Sequence, residues 1–142
     1  MLQLYLRLQF LKLNSLLKLI PMPTQFIHKM NKTEAGFHIL MILSLADGSL
    51  HKAESSVILD FLEKSFHEPI EIIKEQAFLR ACPVEEMLNH FTETAQQFYR
   101  ISTVKERNDL ISFAMKVVMA DEKMESEENV YINTLFDCWG LE

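Results

Sequence analysis

The sequence contains few of the residues that make tight turns: among 142 residues there are three glycines and four prolines. An all-β chain needs many such turns, so this scarcity argues against a β-sandwich or barrel. Two cysteines are too few for a disulfide scaffold. The net charge of −6 argues against nucleic-acid binding, because phosphate contacts need a concentrated basic face. Apolar residues make up 49% of the chain and helix formers dominate, which predicts one helical domain with a real core.

Acidic residues are absent from the first 33 positions, although five basic residues lie there. From Glu34 onward the chain has 9 basic and 20 acidic residues, a net charge of −11. So abrupt a change in composition predicts a boundary between two parts. We expect an apolar, basic leader or arm over residues 1–30 and a helical domain over residues 31–142.

The leader permits three interpretations. Its apolar residues alternate with polar ones over residues 2–10, as in a strand, and become more helical in spacing afterwards. In the first interpretation the leader is an arm that packs on the body or on a partner. In the second it is an amphipathic membrane-surface segment. In the third it is sequence upstream of a true start at Met22 or Met30. A membrane span is not expected, because every 18-residue window contains basic residues, namely Arg7, Lys12 or Lys18.

The body has apolar residues at helical spacing throughout. This spacing predicts six helices. They extend over about residues 33–45, 52–66, 69–80, 83–98, 103–119 and 125–139. Thr33 is a predicted N-cap, as is Ser102 or Thr103, and Gly140 is expected to end the last helix. The fold class is therefore all-α, a compact bundle of about six or seven helices.

An internal repeat is the most informative feature of the body. Shifting the chain by 74 positions aligns LSLADGSLHKAESSVILDFL with VVMADEKMESEENVYINTLF. Each copy spans a predicted break between two helices. Both copies contain Ala-Asp, an apolar residue three positions after the aspartate, and a glutamate seven positions after it. This arrangement predicts a pseudo-twofold repeat within the bundle.

The repeated turns carry the candidate site, formed by Asp47 and Glu54 in the first copy and by Asp121 and Glu128 in the second. Two carboxylates brought together across a tight turn are suitable ligands for a divalent cation. The turns are not EF-hands, because apolar residues occupy the first two ligand positions of such a loop. If the two turns converge, four carboxylates repel one another, and a bound cation relieves that repulsion. Oxygen ligands favour Ca²⁺, Mg²⁺ or Mn²⁺ over Zn²⁺.

A second interpretation of the same residues needs no metal. Glu54 and Glu128 suit the third position of a helix, where a glutamate completes a capping arrangement and favours the helix dipole. Asp47 and Asp121 suit turns in which the side chain accepts hydrogen bonds from free backbone N–H groups. The residues alone leave both interpretations open. His38, His67 and His90 show no partner spacing that suggests a site, so we expect them on the surface or in the core.

The two Ala-Asp turns, Ala46-Asp47-Gly48 with Glu54 and Ala120-Asp121 with Glu128, resemble those of the TerB-like family, named after the tellurite-resistance protein TerB. The resemblance extends over residues 34–141 and excludes the leader. It implies an all-helical bundle with internal pseudo-symmetry, in which the acidic residues at these turns chelate a metal ion. This sequence departs from a strict repeat at Glu122, where the first copy has Gly48.

These features favour a non-enzymatic, metal-responsive protein-interaction domain in a stress response of the tellurite-resistance kind. The alternative is a metal-free interaction domain whose acidic residues only cap helices. A hydrolytic two-metal centre is disfavoured, since nothing supplies a nucleophile, a glycine-rich phosphate loop or a basic clamp. We expect a protein partner, with self-association left open, and membrane contact only through the leader. The expected location is the cytoplasm, or the periphery of the inner membrane.

Overall fold

The computed structural model describes residues 27–45, 52–119 and 130–141, and within these ranges the chain forms helices and no strand. A single helical turn at residues 27–29 precedes six longer helices. These are α1 (Lys32–Leu45), α2 (Lys52–Phe66), α3 (Ile72–Ala81), α4 (Val84–Ile101), α5 (Val104–Met119) and α6 (Val130–Cys138). The predicted all-α class is confirmed. The predicted leader lies outside the described residues except at its end, where Ile27 and Met30 are buried in the core.

Helix α1 is the central element of the bundle. Eleven of its fourteen residues are buried, and it packs against each of the other five helices. Its sequence, KTEAGFHILMILSL, is apolar on every side after the first turn, which is typical of a helix with no solvent-facing stripe. The other helices therefore surround α1, and the core lies along its length.

Contacts between side chains give the directions of the neighbouring helices. Ser55 of α2 approaches Met41 of α1, whereas the later residue Leu62 approaches the earlier residue Gly36, so α2 runs antiparallel to α1. Helix α4 is also antiparallel to α1, because its His90 contacts His38 and its Gln97 reaches back to the carbonyl of Met30. Helices α1 and α2 thus form a helical hairpin against which α4 packs.

Gly36 permits the close approach of α1 to its neighbours. A Cβ atom built at this position would lie 2.8 Å from Cδ2 of Leu62 and 3.7 Å from Cδ1 of Leu110. Leu62 and Leu110 are both fully buried, so neither side chain can withdraw into solvent. Glycine is thus needed here for space rather than for an unusual backbone angle.

We predict that Gly36→Val lowers the free energy of unfolding by about 1–3 kcal/mol, because overpacking forces the facing helices apart. The measurement is urea denaturation followed by far-UV circular dichroism. Gln96→Val, at an exposed site in the middle of α4, introduces the same side chain without a steric clash. It is expected to cost less than about 1 kcal/mol. Equal costs at the two sites would contradict the packing argument.

Two helices begin with reciprocal capping boxes. At α1 the Asn31 Oδ1 accepts from the Glu34 N–H at 2.8 Å, and a Glu34 carboxylate oxygen accepts from the Asn31 N–H at 2.9 Å. The predicted N-cap at Thr33 is therefore wrong by two residues. At α5 the cap is Thr103, one of the two residues predicted: its hydroxyl oxygen accepts from the Glu106 N–H at 3.2 Å, and Glu106 accepts from the Thr103 N–H at 2.8 Å.

The C-terminal end of α6 closes as predicted. Gly140 has a φ of +66°, and the Leu141 N–H donates to the carbonyl of Phe136 at 2.9 Å. Just before this turn, Trp139 is 6% exposed and its indole N–H donates to the carbonyl of Ala95 at 2.8 Å. Trp139 therefore fixes the end of α6 to the middle of α4.

Helix α3 begins at Ile72, three residues later than the sequence predicts. The residues before it are used for tertiary contacts at the start of α1. The Pro69 carbonyl accepts from the Asn31 side-chain amide at 2.8 Å, and the Glu68 carboxylate accepts from the Lys32 N–H at 2.7 Å. These contacts hold the α2–α3 connection against the N-terminus of α1.

Candidate functional site

Three of the four predicted ligands, Asp47, Asp121 and Glu128, lie outside the described residues. Glu54 is the third residue of α2, but its side chain is likewise outside the description. The structure does show the helices that flank each predicted turn. The first turn follows α1 and precedes α2, and the second lies between α5 and α6. The ligand set itself stays a prediction.

Helices α1 and α5, which precede the two acidic turns, run parallel from their N-termini. Lys32 Nζ donates to a carboxylate oxygen of Glu106 at 2.7 Å, and one turn further along Gly36 faces Leu110. Both pairs are separated by 74 positions, the offset of the sequence repeat. Because parallel helices end on the same side, the chain leaves α1 and α5 at the same end of the bundle. The contacts are compatible with the predicted pseudo-twofold repeat.

The ion pair at the opposite end holds this alignment in place. Hydrogen bonding to Glu106 raises the pKa of Lys32, although partial burial opposes that effect. Burial by itself would raise the pKa of Glu106, but the hydrogen bonds from Lys32 and Thr103 outweigh it and lower that pKa. Both shifts favour the charged forms, so the pair stays ionised at neutral pH. Glu68 lies 3.9 Å from the same ammonium group and adds to its acidic surroundings.

A second polar cluster, not predicted from the sequence, lies inside the bundle and joins α1, α3 and α4. His38 of α1 is completely buried, with Nε2 2.6 Å from a carboxylate oxygen of Glu75 and Nδ1 2.8 Å from Nε2 of His90. Glu75 is also fully buried. The ring of Phe78 lies 5.5 Å from that of His38 and 5.0 Å from that of His90. We call His38, Glu75 and His90 the buried triad.

The triad does not have the geometry of a metal centre. The two ring nitrogens of His38 point to different partners, so the three side chains form a row and do not converge on one point. Among the residues that the structure describes, no group of three or more histidine, cysteine, aspartate or glutamate side chains is arranged to hold a metal ion. The triad is a hydrogen-bonded chain in the core.

Burial dominates the electrostatics of the triad. Desolvation, with a smaller contribution from the neighbouring His38, lowers the pKa of His90 to about 3. Desolvation also raises the pKa of Glu34, an effect to which the nearby Glu75 carboxyl adds. The second carboxylate oxygen of Glu75 is buried with no hydrogen-bond partner among the described groups. His90 is therefore neutral in the folded protein at physiological pH.

The sequence contained one signal of the triad. Glu75 lies between Ile72 and Leu79, at the spacing of residues that share the inner face of a helix. His38 similarly follows Phe37 in an uninterrupted apolar helix. Neither position indicates its partner, because the residues of the triad are 37 and 52 positions apart. We expected histidines whose spacing indicates no site to lie on the surface or in the core. His38 and His90 lie in the core.

No helix in the described ranges combines the length and the apolar character that crossing a membrane requires. The comparison with protein families gives a match to the model described as tellurite resistance protein TerB, over residues 33–142. The match includes all six helices except Lys32, the first residue of α1, as well as both predicted acidic turns, and it excludes the leader. No curated protein and no solved structure was found to match the chain.

Proposed function

Because the chain belongs to the family of the tellurite resistance protein TerB, we propose that it is a non-enzymatic, metal-responsive interaction domain of a tellurite-resistance-like stress response. In this proposal a divalent cation binds the carboxylates of Asp47, Glu54, Asp121 and Glu128. The bound cation links the α1–α2 hairpin to the α5–α6 hairpin. The resulting acidic surface docks a partner protein in the cytoplasm.

The observation that carries the proposal is the parallel alignment of α1 and α5. The Lys32–Glu106 ion pair and the Gly36–Leu110 contact set both helices in the same direction. In both copies of the repeat, the same number of residues separates these contacts from the predicted Ala-Asp turn that follows the helix. When two parallel helices are in contact, the segments that follow them begin at the same end of the bundle. The two helix axes are about 8–10 Å apart at the contact. This arrangement supports a shared site.

The chemistry of the four side chains selects the cation. Carboxylate oxygens are hard ligands, and none of the four residues offers nitrogen or sulfur. We therefore propose Ca²⁺, Mg²⁺ or Mn²⁺ in preference to Zn²⁺. The net charge of −11 beyond residue 33 raises the local cation concentration and favours a basic surface on the partner.

We predict that calorimetric titration with Ca²⁺, Mg²⁺ and Mn²⁺ detects binding to the full chain and that Asp47→Asn with Asp121→Asn abolishes it. Removing two of four carboxylates removes half of the charge that holds the ion. A Zn²⁺ titration is the comparison for ligand preference. The matched control is Glu85→Gln with Glu86→Gln, which changes the net charge equally at two exposed positions of α4. Absence of binding heat, or equal binding by both double variants, would refute the metal site.

One observation favours the metal-free alternative. The chain uses glutamate at the third helical position for capping in both described boxes, at Glu34 and at Glu106. Glu54 occupies the same position in α2, counted from Lys52. If Glu54 and Glu128 are only caps, a chelator leaves the melting temperature unchanged. In that case Asp47→Asn costs no more than a lost cap, about 1 kcal/mol.

A further inference from the structure

A cavity of about 480 Å³ lies where the N-terminal end of α1 meets the end of α2 and the start of α3. Thr33 lines it from the first turn of α1, and Leu59 and Glu63 line it from the second half of α2. Residues 67–70 of the α2–α3 connection and Ile72 of α3 complete the lining. We call this space the α2–α3 cavity. Its volume is typical of small-molecule sites, which measure about 300–1,000 Å³.

Thr33 forms the inner end of the cavity and has a buried hydroxyl group without a partner. It is 2% exposed, whereas every other residue that lines the cavity is half-buried or exposed. Thr92, Thr94 and Thr134 each donate to the carbonyl four residues earlier in their helices. Thr33 lies in the first turn of α1, and its hydroxyl oxygen has no hydrogen-bond partner among the described groups. A buried hydroxyl of this kind favours a bound molecule that completes its hydrogen bonding.

The cavity carries negative charge. Of the described residues that line it, Glu63 and Glu68 are acidic and none is lysine or arginine. Glu68 lies beside Thr33, because its carboxylate accepts from the N–H of the preceding residue, Lys32, at 2.7 Å. The Lys32 ammonium group compensates this charge only in part, since it lies 3.9 Å from Glu68 and 2.7 Å from Glu106. A negative net charge therefore remains at the cavity.

The two helix ends at the cavity also favour a cation. At the N-terminus of α1, acceptors already pair with the N–H groups of Lys32, Glu34 and Ala35. At the C-terminus of α2, the last carbonyl groups have no partner within the helix, and the helix dipole is negative there. The helix ends therefore leave acceptors rather than donors at the cavity.

A strained turn forms the wall opposite α1. His67, the first residue after α2, has a φ of +56°, in the left-handed region that few non-glycine residues adopt. This turn brings Pro69 and Ile70 back to the cavity, where they provide apolar surface together with Leu59 and Ile72. Strain of this kind is typical of ligand sites, where the surrounding structure maintains it.

We propose that the α2–α3 cavity binds an organic ammonium ion. The ammonium group donates to the Thr33 hydroxyl and the Glu68 carboxylate, and at most one rotation about the Cα–Cβ bond of Thr33 directs its oxygen to the ligand. The apolar body contacts Leu59 and Ile70, and the exposed Glu63 adds negative charge at the rim. A lysine side chain of a partner and a free aliphatic amine both have this chemistry. The site lies at the opposite end of α1 from the acidic turn and needs no metal.

Amide NMR spectra of the isotope-labelled full chain, recorded at pH 7 with excess EDTA, test the proposal. The probe is n-butylammonium, which has the stem and charge of a lysine side chain, and the counter-probe is butanoate, of similar size and opposite charge. We expect saturable shifts at residues 33, 59–63 and 67–72 with the cation, at millimolar concentrations, and none with the anion. Because EDTA keeps the acidic turns free of metal, the outcome does not depend on the proposed metal site.

Charge removal at the cavity gives the first variant test. Glu63→Gln with Glu68→Gln should weaken butylammonium binding about tenfold. The amide oxygen at position 68 can still accept from the Lys32 N–H, so the connection keeps its contact. The matched control is Glu85→Gln with Glu86→Gln, at two exposed positions of α4, for which we expect a change within about twofold.

Thr33→Val gives the second variant test, because it replaces the hydroxyl with a methyl group of the same shape. Butylammonium binding should weaken about three- to tenfold, the effect of one lost hydrogen bond. The melting temperature should not fall, since the substitution removes no hydrogen bond within the protein.

A third probe separates the two sources of the ammonium group. Nα-acetyl-lysine N-methylamide carries the same stem and charge on a peptide backbone. Binding as tight as that of butylammonium, or tighter, identifies a lysine of a partner as the occupant. Weaker binding identifies a free amine, because the cavity then has no room for the backbone.

Four results would overturn the proposal. The first is the absence of saturable shifts at the cavity with butylammonium, and the second is equal binding of butanoate. The third is an equal effect of the two double glutamine variants. The fourth is a clear fall in the melting temperature of Thr33→Val, which would mean that the hydroxyl has a partner within the protein. If a variant does not fold, the comparison of the two probes on the wild type is decisive without it.

Discussion

Replacing Glu75 with alanine is expected to lower the free energy of unfolding by about 3–5 kcal/mol. The substitution removes a fully buried carboxylate that contacts Nε2 of His38 at 2.6 Å. It leaves the His38 imidazole in the core without its acidic partner and creates a cavity between α1 and α3. Removing one partner of a buried hydrogen-bonded pair costs more than the pair contributes, because the remaining polar group stays desolvated.

Chemical denaturation at pH 7.5 measures this effect. The matched control is Glu63→Ala, the same substitution at an exposed position in the last turn of α2, for which a change within about 0.5 kcal/mol is expected. Glu75→Gln separates shape from the carboxyl group, since the amide fills the same space without being ionisable. A cost below about 1 kcal/mol for Glu75→Ala would mean that the triad is not a structural anchor.

The second large effect is expected at Phe98. Phe98 is completely buried in α4, with its ring 5.5 Å from Phe66 of α2 and 5.4 Å from Trp139 after α6. Phe98→Ala removes both aromatic contacts and leaves a cavity where three segments meet. The expected loss in the free energy of unfolding is about 3–5 kcal/mol.

The fluorescence of Trp139, the single tryptophan, gives this experiment a local signal. Phe98→Ala should shift its emission to longer wavelength, because water gains access to the indole. Phe98→Leu keeps most of the volume and should cost less than about 1.5 kcal/mol with little spectral change. If alanine and leucine have the same small effect, the core at this junction is less closely packed than the ring distances indicate.

Local signals in the sequence were sufficient for most of the helices. The approximate bounds predicted for α2 agree with the structure, and a cap at Ser102 or Thr103 and the ending at Gly140 follow from residue type and spacing. These features depend on neighbours three or four positions away, which a sequence shows directly. The late start of α3 was missed because Pro69 and the residues around it serve long-range contacts to Asn31 and Lys32.

The candidate sites divide in the same way. The acidic turns repeat within the sequence, so Asp47 and Asp121 were recognised as a pattern, and their ligand role stays a prediction. The buried triad has no local pattern, because Glu75 and His90 become neighbours of His38 only when three helices pack. A glutamate on the inner face of an apolar helix indicates that a partner must exist, but the identity of that partner is a property of the tertiary structure.

The central position of α1 has a consequence for synthesis of the protein in the cell. Helix α1 precedes in sequence all five helices that cover it, and the last of these ends at Cys138. During translation its apolar surface is therefore not fully covered until α6 has left the ribosome. Premature termination before α6 yields a chain in which part of this hydrophobic helix is exposed, a substrate for chaperones and proteases rather than a smaller working domain.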